Sequence, residues 1–255
     1  MNVNLHTHTA RCHHASGADE AYVQAAIERG LKVLGFSDHT PHFYPDGYVS
    51  TVRMLPGQLP EYVASITRLR EAYMDKLQIL IGVEAEYFPA YWGELIPYLQ
   101  DQGVEYMLLG QHNLGNEIGQ PHCGNPTEDE YLLKQYCHQV MDAMQTGYFT
   151  YFAHPDFIHF IGDGKVYDKH MREVCRTAKA CNIPLEVNML GLRQGRHYPN
   201  DRFFALVAEE GCPVVIGSDA HLPEQVLLPE NEAQALEIVS RFGLELIENP
   251  IIRRI

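Results

Sequence analysis

Short uninterrupted apolar runs alternate along the chain with longer stretches in which apolar residues recur every three or four positions. The runs predict strands over residues 3–5, 32–37, 77–83, 106–109, 151–153, 184–187 and 213–216, since a strand buried on both faces shows no polar alternation. The longer stretches predict helices over residues 18–29, 61–75, 91–102, 128–145, 168–181, 201–210 and 231–242. The first places Tyr22, Ala25, Ala26 and Ile27 at helical spacing and stops at Gly30, a residue suited to the left-handed position after a helix. The second carries Tyr62, Ile66, Leu69 and Tyr73 on one stripe. An apolar, strand-like tail follows at 244–247. Regular alternation of strand and helix predicts parallel βαβ units, about seven of them. No repeat, low-complexity segment or linker interrupts the pattern, so residues 1–255 read as one α/β domain.

A length of 255 residues with 45% hydrophobic composition suits one large core, and single α/β barrels commonly have this size. The formal net charge of −14 disfavours a nucleic-acid partner, whose phosphates call for clustered Lys and Arg. Bound divalent cations would offset part of that charge locally. No apolar run approaches the roughly 20 residues that span a bilayer, and the N-terminus lacks the basic and apolar regions of a secretory signal. A cytoplasmic protein without membrane partners is expected, its oligomeric state left open. The cysteines Cys12, Cys123, Cys137, Cys175, Cys181 and Cys212 form no Cys-x-x-Cys pair and read mainly as reduced core residues. Cys12 stands apart because it lies among histidines.

The polar residues that follow the predicted strands change the picture most. His6 and His8 are spaced i, i+2, so on an extended backbone both imidazoles face one side and can share a cation. The loop 10–17 adds Cys12, His13 and His14, and later strand ends deliver Asp38 and His39, Glu84 and Glu86, His112, His154 and Asp156, then Asp219 and His221. In α/β barrels functional groups collect at the C-terminal ends of strands. That places His6, His8, His39, Glu84, His112, His154, Asp219 and His221 around one cavity. Neutral imidazole and carboxylate are ligands of Zn, Mn and Fe, and this set exceeds one ion's needs, so two or three divalent metal ions are expected. Glu84 is the natural bridge, because each carboxylate oxygen can serve a different ion. Bridged cations suit phosphate-ester hydrolysis.

The stretches HTHT at 6–9, GFSDH at 35–39, GVEAEY at 82–87, GQHN at 110–113, AHPD at 153–156, EVNMLGLR at 186–193 and GSDAH at 217–221 carry a resemblance. In their order the chain resembles the PHP (polymerase and histidinol phosphatase) superfamily, and most of all its monofunctional histidinol-phosphatases. The resemblance implies a distorted (β/α)7, TIM-like barrel with a trinuclear site. By position, His6, His8 and Asp219 match ligands of one ion, His112 and His154 those of a second, and Glu84 the bridging carboxylate. His39 and His221 match ligands of a third, with His14 completing it. His13 is the alternative, standing where the family commonly has an acidic residue.

Arg193 matches an arginine that family members use, and a guanidinium fork suits phosphate. Arg196 is expected to assist it or to line the mouth. A basic residue common near position 159 is here His159. Asp38 reads as a general acid, as an acceptor orienting a ligand imidazole, or as a plain turn cap at the end of its strand. Glu86 reads as solvated or supporting, Asp156 as a cap, and His42, His122, His138, His159, His170 and His197 as structural. The expected activity is a metal-dependent phosphomonoesterase acting on a small phosphorylated substrate, L-histidinol phosphate above all. Another small phosphate or phosphotyrosine is the alternative substrate, and a non-catalytic metal-binding module the alternative class.

Overall fold

In the computed structural model, which describes residues 1–45 and 47–255, the chain forms a seven-stranded sheet in the order of the sequence. The strands are β1 (Val3–Asn4), β2 (Val33–His39), β3 (Gln78–Ala85), β4 (Tyr106–Leu109), β5 (Phe149–Phe152), β6 (Leu185–Asn188) and β7 (Val214–Gly217). Every neighbouring pair is parallel. The helices are α1 (Asp19–Glu28), α2 (Leu59–Ala72), α3 (Pro89–Asp101), α4 (Glu130–Gln145), α5 (Gly164–Ala180), α6 (Met189–Gln194), α7 (Asp201–Glu210) and α8 (Pro229–Phe242). The expected (β/α)7 barrel is thus present, with one additional short helix, α6.

The sheet nearly closes on itself beyond the end of β1. Thr7 bridges Ala220 in parallel register, and the His8 amide donates to the Ala220 carbonyl at 2.9 Å. Asn4 braces the same seam: its Nδ2 donates to Ser218 Oγ at 2.6 Å, while its Oδ1 accepts from the Ser218 amide at 3.1 Å. This seam matters for the site because it sets His6 and His8 beside Asp219.

Two apolar layers result. Val3, Leu5, Leu80, Tyr106, Leu108, Tyr151, Ala153 and Val215 fill the barrel, and the larger layer lies between strands and helices. Helix α4 shows why it packs there, since Leu133, Tyr136, Cys137, Val140, Ala143 and Met144 recur at helical spacing and are buried. Helix α5 starts ahead of the expected residue 168 because Asp163 caps it, accepting from the Lys165 amide at 2.6 Å. Strands β2 and β3 run on into Asp38–His39 and Glu84–Ala85, farther than their apolar runs. The ladder pairs His39 with Glu84, so main-chain bonding continues through polar positions. The tail 244–247 makes only a bridge, Val214 to Leu246, and adds no strand to the barrel. Among the described residues no helix is long and apolar enough to cross a membrane.

Candidate metal centre

The C-terminal strand ends converge on Glu84, which is 1% exposed at the end of β3. Its two oxygens face different imidazoles. Oε1 lies 2.6 Å from His154 Nε2, 3.6 Å from His112 Nε2 and 3.7 Å from His6 Nε2. Oε2 lies 3.1 Å from His39 Nδ1 and 3.6 Å from His8 Nε2. Asp219 Oδ1 stands 3.2 Å from His8 Nε2, 3.4 Å from His221 Nδ1 and 3.6 Å from His6 Nε2.

Cation binding can be tested on the unsatisfied atoms. His6 Nε2, His8 Nε2, Glu84 Oε2 and Asp219 Oδ1 are buried without a hydrogen-bond partner among the described residues. Each such group costs roughly 1–3 kcal/mol when left unpaired. Their convergence is what a coordination sphere requires. Among the described residues, four trios of imidazole and carboxylate donors alone bring one ligand atom each to within 4.8 Å of one another: His6, Glu84 and His154; His6, His8 and Asp219; His8, His39 and Glu84; His14, His39 and His221. The donor set therefore fits divalent metal ions.

The electrostatics show the same demand for positive charge. Burial would push Glu84 up, but the imidazoles of His112, His39 and His154 outweigh it and hold the carboxyl well below the usual range. Asp219 is held down in the same way by His6, His8 and His221. Burial would lower His6, yet Glu186 and Asp219 raise it well above an ordinary imidazole. His221 goes the other way, to about 3, through burial and the neighbouring His8.

Backbone geometry aims two of these groups. His154 and Asp219 have positive φ, 32° and 48°, a costly conformation for non-glycine residues that turns the chain sharply at the ends of β5 and β7. Gly110 and Gly217 provide room, since a Cβ at Gly110 would strike the Glu84 carboxylate and one at Gly217 the Glu186 carboxylate.

A family model for the PHP domain matches residues 4–189. The chain belongs to the PHP domain family. A probable histidinol-phosphatase of Deinococcus radiodurans is 32% identical over 237 residues, covering 87% of this chain and 86% of the relative. One of Schizosaccharomyces pombe is 29% identical, covering 89% and 82%. Among solved structures, the histidinol phosphate phosphatase of Lactococcus lactis, in complex with zinc, L-histidinol and phosphate, superposes with a TM-score of 0.75 at 18% identity. That match covers 96% of this chain and 95% of the other. The likeness to that structure is one of fold.

Within this PHP barrel the other expected residues fall into distinct places. His14 Nδ1 lies 2.7 Å from the Cys12 carbonyl, and its ring reaches the cavity beside His39 and His221. His13, left-handed at φ 67°, lines a different surface depression. Asp38 sits off the cavity: its Oδ2 accepts from the Thr9 hydroxyl, its Oδ1 accepts from the His39 amide at 2.8 Å and lies 3.4 Å from His8 Nδ1. This position ties the His39 amide to the Thr9 hydroxyl and sets a carboxylate beside His8 Nδ1.

The two arginines lie in different surroundings. Arg196 lines the cavity, which encloses about 660 Å³, whereas Arg193 does not. Helix α6, capped by Asn188, turns Arg193 back under β7, where Nη1 and Nη2 lie 3.4 and 3.2 Å from the Ser218 and Asp219 carbonyls. Asp156 accepts from the Asn200 amide at 2.5 Å, a brace between segments 44 residues apart in the chain rather than the local cap expected of it.

Glu186 and Arg53 were not singled out by sequence reasoning. Glu186 Oε1 takes His6 Nδ1 at 2.8 Å, and its Oε2 accepts from the His154 amide at 2.9 Å and Asn188 Nδ2 at 2.8 Å. A carboxylate inside the apolar run of β6 was the available signal. Arg53, 2% exposed, joins Glu86 to Glu117. Glu86 in turn accepts from the His112 and Asn113 amides, each at 2.8 Å, and so anchors the segment that presents His112. Burial would raise Glu86, but Arg53 and His112 hold it at about 2. Nothing local to Arg53 announces this role.

Proposed function

We propose that this chain is a metal-dependent phosphomonoesterase that hydrolyses L-histidinol phosphate to L-histidinol and phosphate. The observation that carries the reading is Glu84, whose two oxygens each face a separate group of imidazoles in one buried cluster, several of whose atoms have no hydrogen-bond partner among the described residues. By the family match, His6, His8 and Asp219 would hold one of two or three ions of Zn, Mn or Fe, His112 and His154 a second, and His14, His39 and His221 a third, with Glu84 shared among them. Bound there, such ions supply Lewis acidity and water activated at neutral pH.

The chain's own groups do the remaining work. Arg196, on the cavity wall, offers a fork to phosphate oxygens, with Tyr198 Oη accepting from its Nη1 at 3.1 Å to hold it. Arg193 fixes the carbonyls flanking Asp219 and positions that ligand. A cavity of about 660 Å³ has the size of a small-molecule site. The names of the relatives from D. radiodurans and S. pombe support the substrate.

The test is a panel of phosphate esters offered to the metal-loaded protein, including histidinol phosphate, p-nitrophenyl phosphate and phosphotyrosine. The highest kcat/KM is expected for histidinol phosphate. A clear preference for another ester would reassign the substrate. Loaded metal without turnover of any ester would favour a non-catalytic metal-binding module.

A further inference from the structure

The six cysteines do not share one environment. Cys123, Cys137, Cys175 and Cys212 belong to the large apolar core and Cys181 packs against it. Cys12 is fully buried yet belongs to neither apolar cluster of the described residues. It ends a short 3-10 turn, Ala10–Cys12, capped by Thr9. That turn lays its thiol against His8 and His221, so that the sulfur and one nitrogen of each ring lie within 4.8 Å of one another.

His8 is the second, independent observation. Its side chain is 1% exposed and neither ring nitrogen has a hydrogen-bond partner. Nε2 is turned to Glu84 and Asp219. Nδ1 lies 3.4 Å from Asp38 Oδ1 without a hydrogen bond, and the Asp38 oxygens accept from the Thr9 hydroxyl and the His39 amide. The His8 and His221 rings stack at 4.2 Å, and the His14 ring lies 4.9 Å from that of His221.

We propose that Cys12 is a further metal donor of this centre, its thiolate joining His221 and His14 beside the His8 ring at the third ion's position and biasing that position towards zinc over manganese. The inference rests on the reading of the site as a metal centre. On binding, the thiol proton passes to solvent as the sulfur–metal bond forms, with no change of oxidation state. Sulfur donors select zinc, whereas manganese favours oxygen. Because His14 is held to the Cys12 carbonyl, one turn carries both a sulfur and an imidazole to this side of the site.

Cobalt(II) substitution tests this without reference to turnover. Metal-depleted full-length protein is loaded with Co²⁺, and its absorption is recorded beside that of Cys12→Ser, Cys12→Ala and Cys181→Ser. The expected wild-type spectrum has a thiolate-to-cobalt charge-transfer band in the near ultraviolet. That band should vanish in both Cys12 variants, which keep their d–d absorption, and persist in Cys181→Ser. In parallel, the preference for zinc over manganese should fall by roughly 10-fold or more in Cys12→Ser, the scale on which ligand surroundings alter affinity. Wild-type cobalt protein with d–d absorption and no thiolate band overturns the proposal, even if neither Cys12 variant folds. A band that survives in a Cys12 variant does the same. Failure to take up cobalt at all overturns the metal-centre reading, and the Cys12 proposal with it.

Discussion

Glu186 Oε1 lies 2.8 Å from His6 Nδ1, and that contact decides which nitrogen of His6 faces Glu84 and Asp219. With Nδ1–H donated to the carboxylate, Nε2 keeps its lone pair for a cation. The same carboxylate holds the His154 amide, so one side chain orients donors from β1 and from the end of β5. Glu186→Gln replaces an ionised acceptor by an amide that must turn an N–H towards one of three donors. A loss of 10- to 100-fold in metal affinity or kcat/KM is expected, read by metal titration and steady-state kinetics, with the fold retained. Unchanged metal affinity would remove Glu186 from the site.

Glu84→Gln should lower the metal stoichiometry and abolish turnover while far-ultraviolet circular dichroism stays that of the folded barrel. An amide has one oxygen and cannot serve both groups of imidazoles at Oε1 and Oε2. Full metal content with near-normal kcat would refute the bridging assignment.

The arginines separate by readout. Arg196→Ala should cost on the order of 1.5–3 kcal/mol, or roughly 10- to 150-fold in kcat/KM, with weaker inhibition by inorganic phosphate and unchanged metal content. Arg193→Ala should instead reduce metal occupancy, because Arg193 holds the carbonyls of Ser218 and Asp219. Should Arg193→Ala weaken phosphate inhibition while leaving the metals in place, Arg193 is the phosphate ligand after all.

His42 predicts a pH dependence of stability. It is 4% exposed among Tyr44, Phe88 and Tyr91, and burial together with Arg53 lowers it to about 3, with Glu86 opposing. Its folded pKa lies below the unfolded value of about 6.5, so its contribution is complete above that pH and is lost as pH falls towards 3. His42→Phe has no proton to take up on unfolding. Between about pH 7 and pH 5 it should lose about 2 kcal/mol less stability than wild type in denaturant titrations under the same metal conditions. Parallel losses in the two proteins would mean that His42 is not held neutral.

The barrel was legible in the sequence because parallel strands buried on both faces are written as plain apolar runs, and amphipathic helices between them as a different period. The polar clusters could be assigned to one rim for the same reason, since the end of each apolar run marks the end of a strand. His6 and His8 share a face through the two-residue period of extended chain alone. Other features had no local signature. Glu186 finds His6 across 180 positions, and Arg53 reaches Glu86 across 33, so neither pairing leaves a mark in its own stretch. The left-handed turn at His13 sends that ring away and leaves His14 beside the cavity. Arg193 and Arg196, three residues apart, are separated by the end of a six-residue helix. Composition and period determine which segments are buried and in what order they pair; where a side chain then points depends on single dihedral angles and on partners that only the closed barrel brings near.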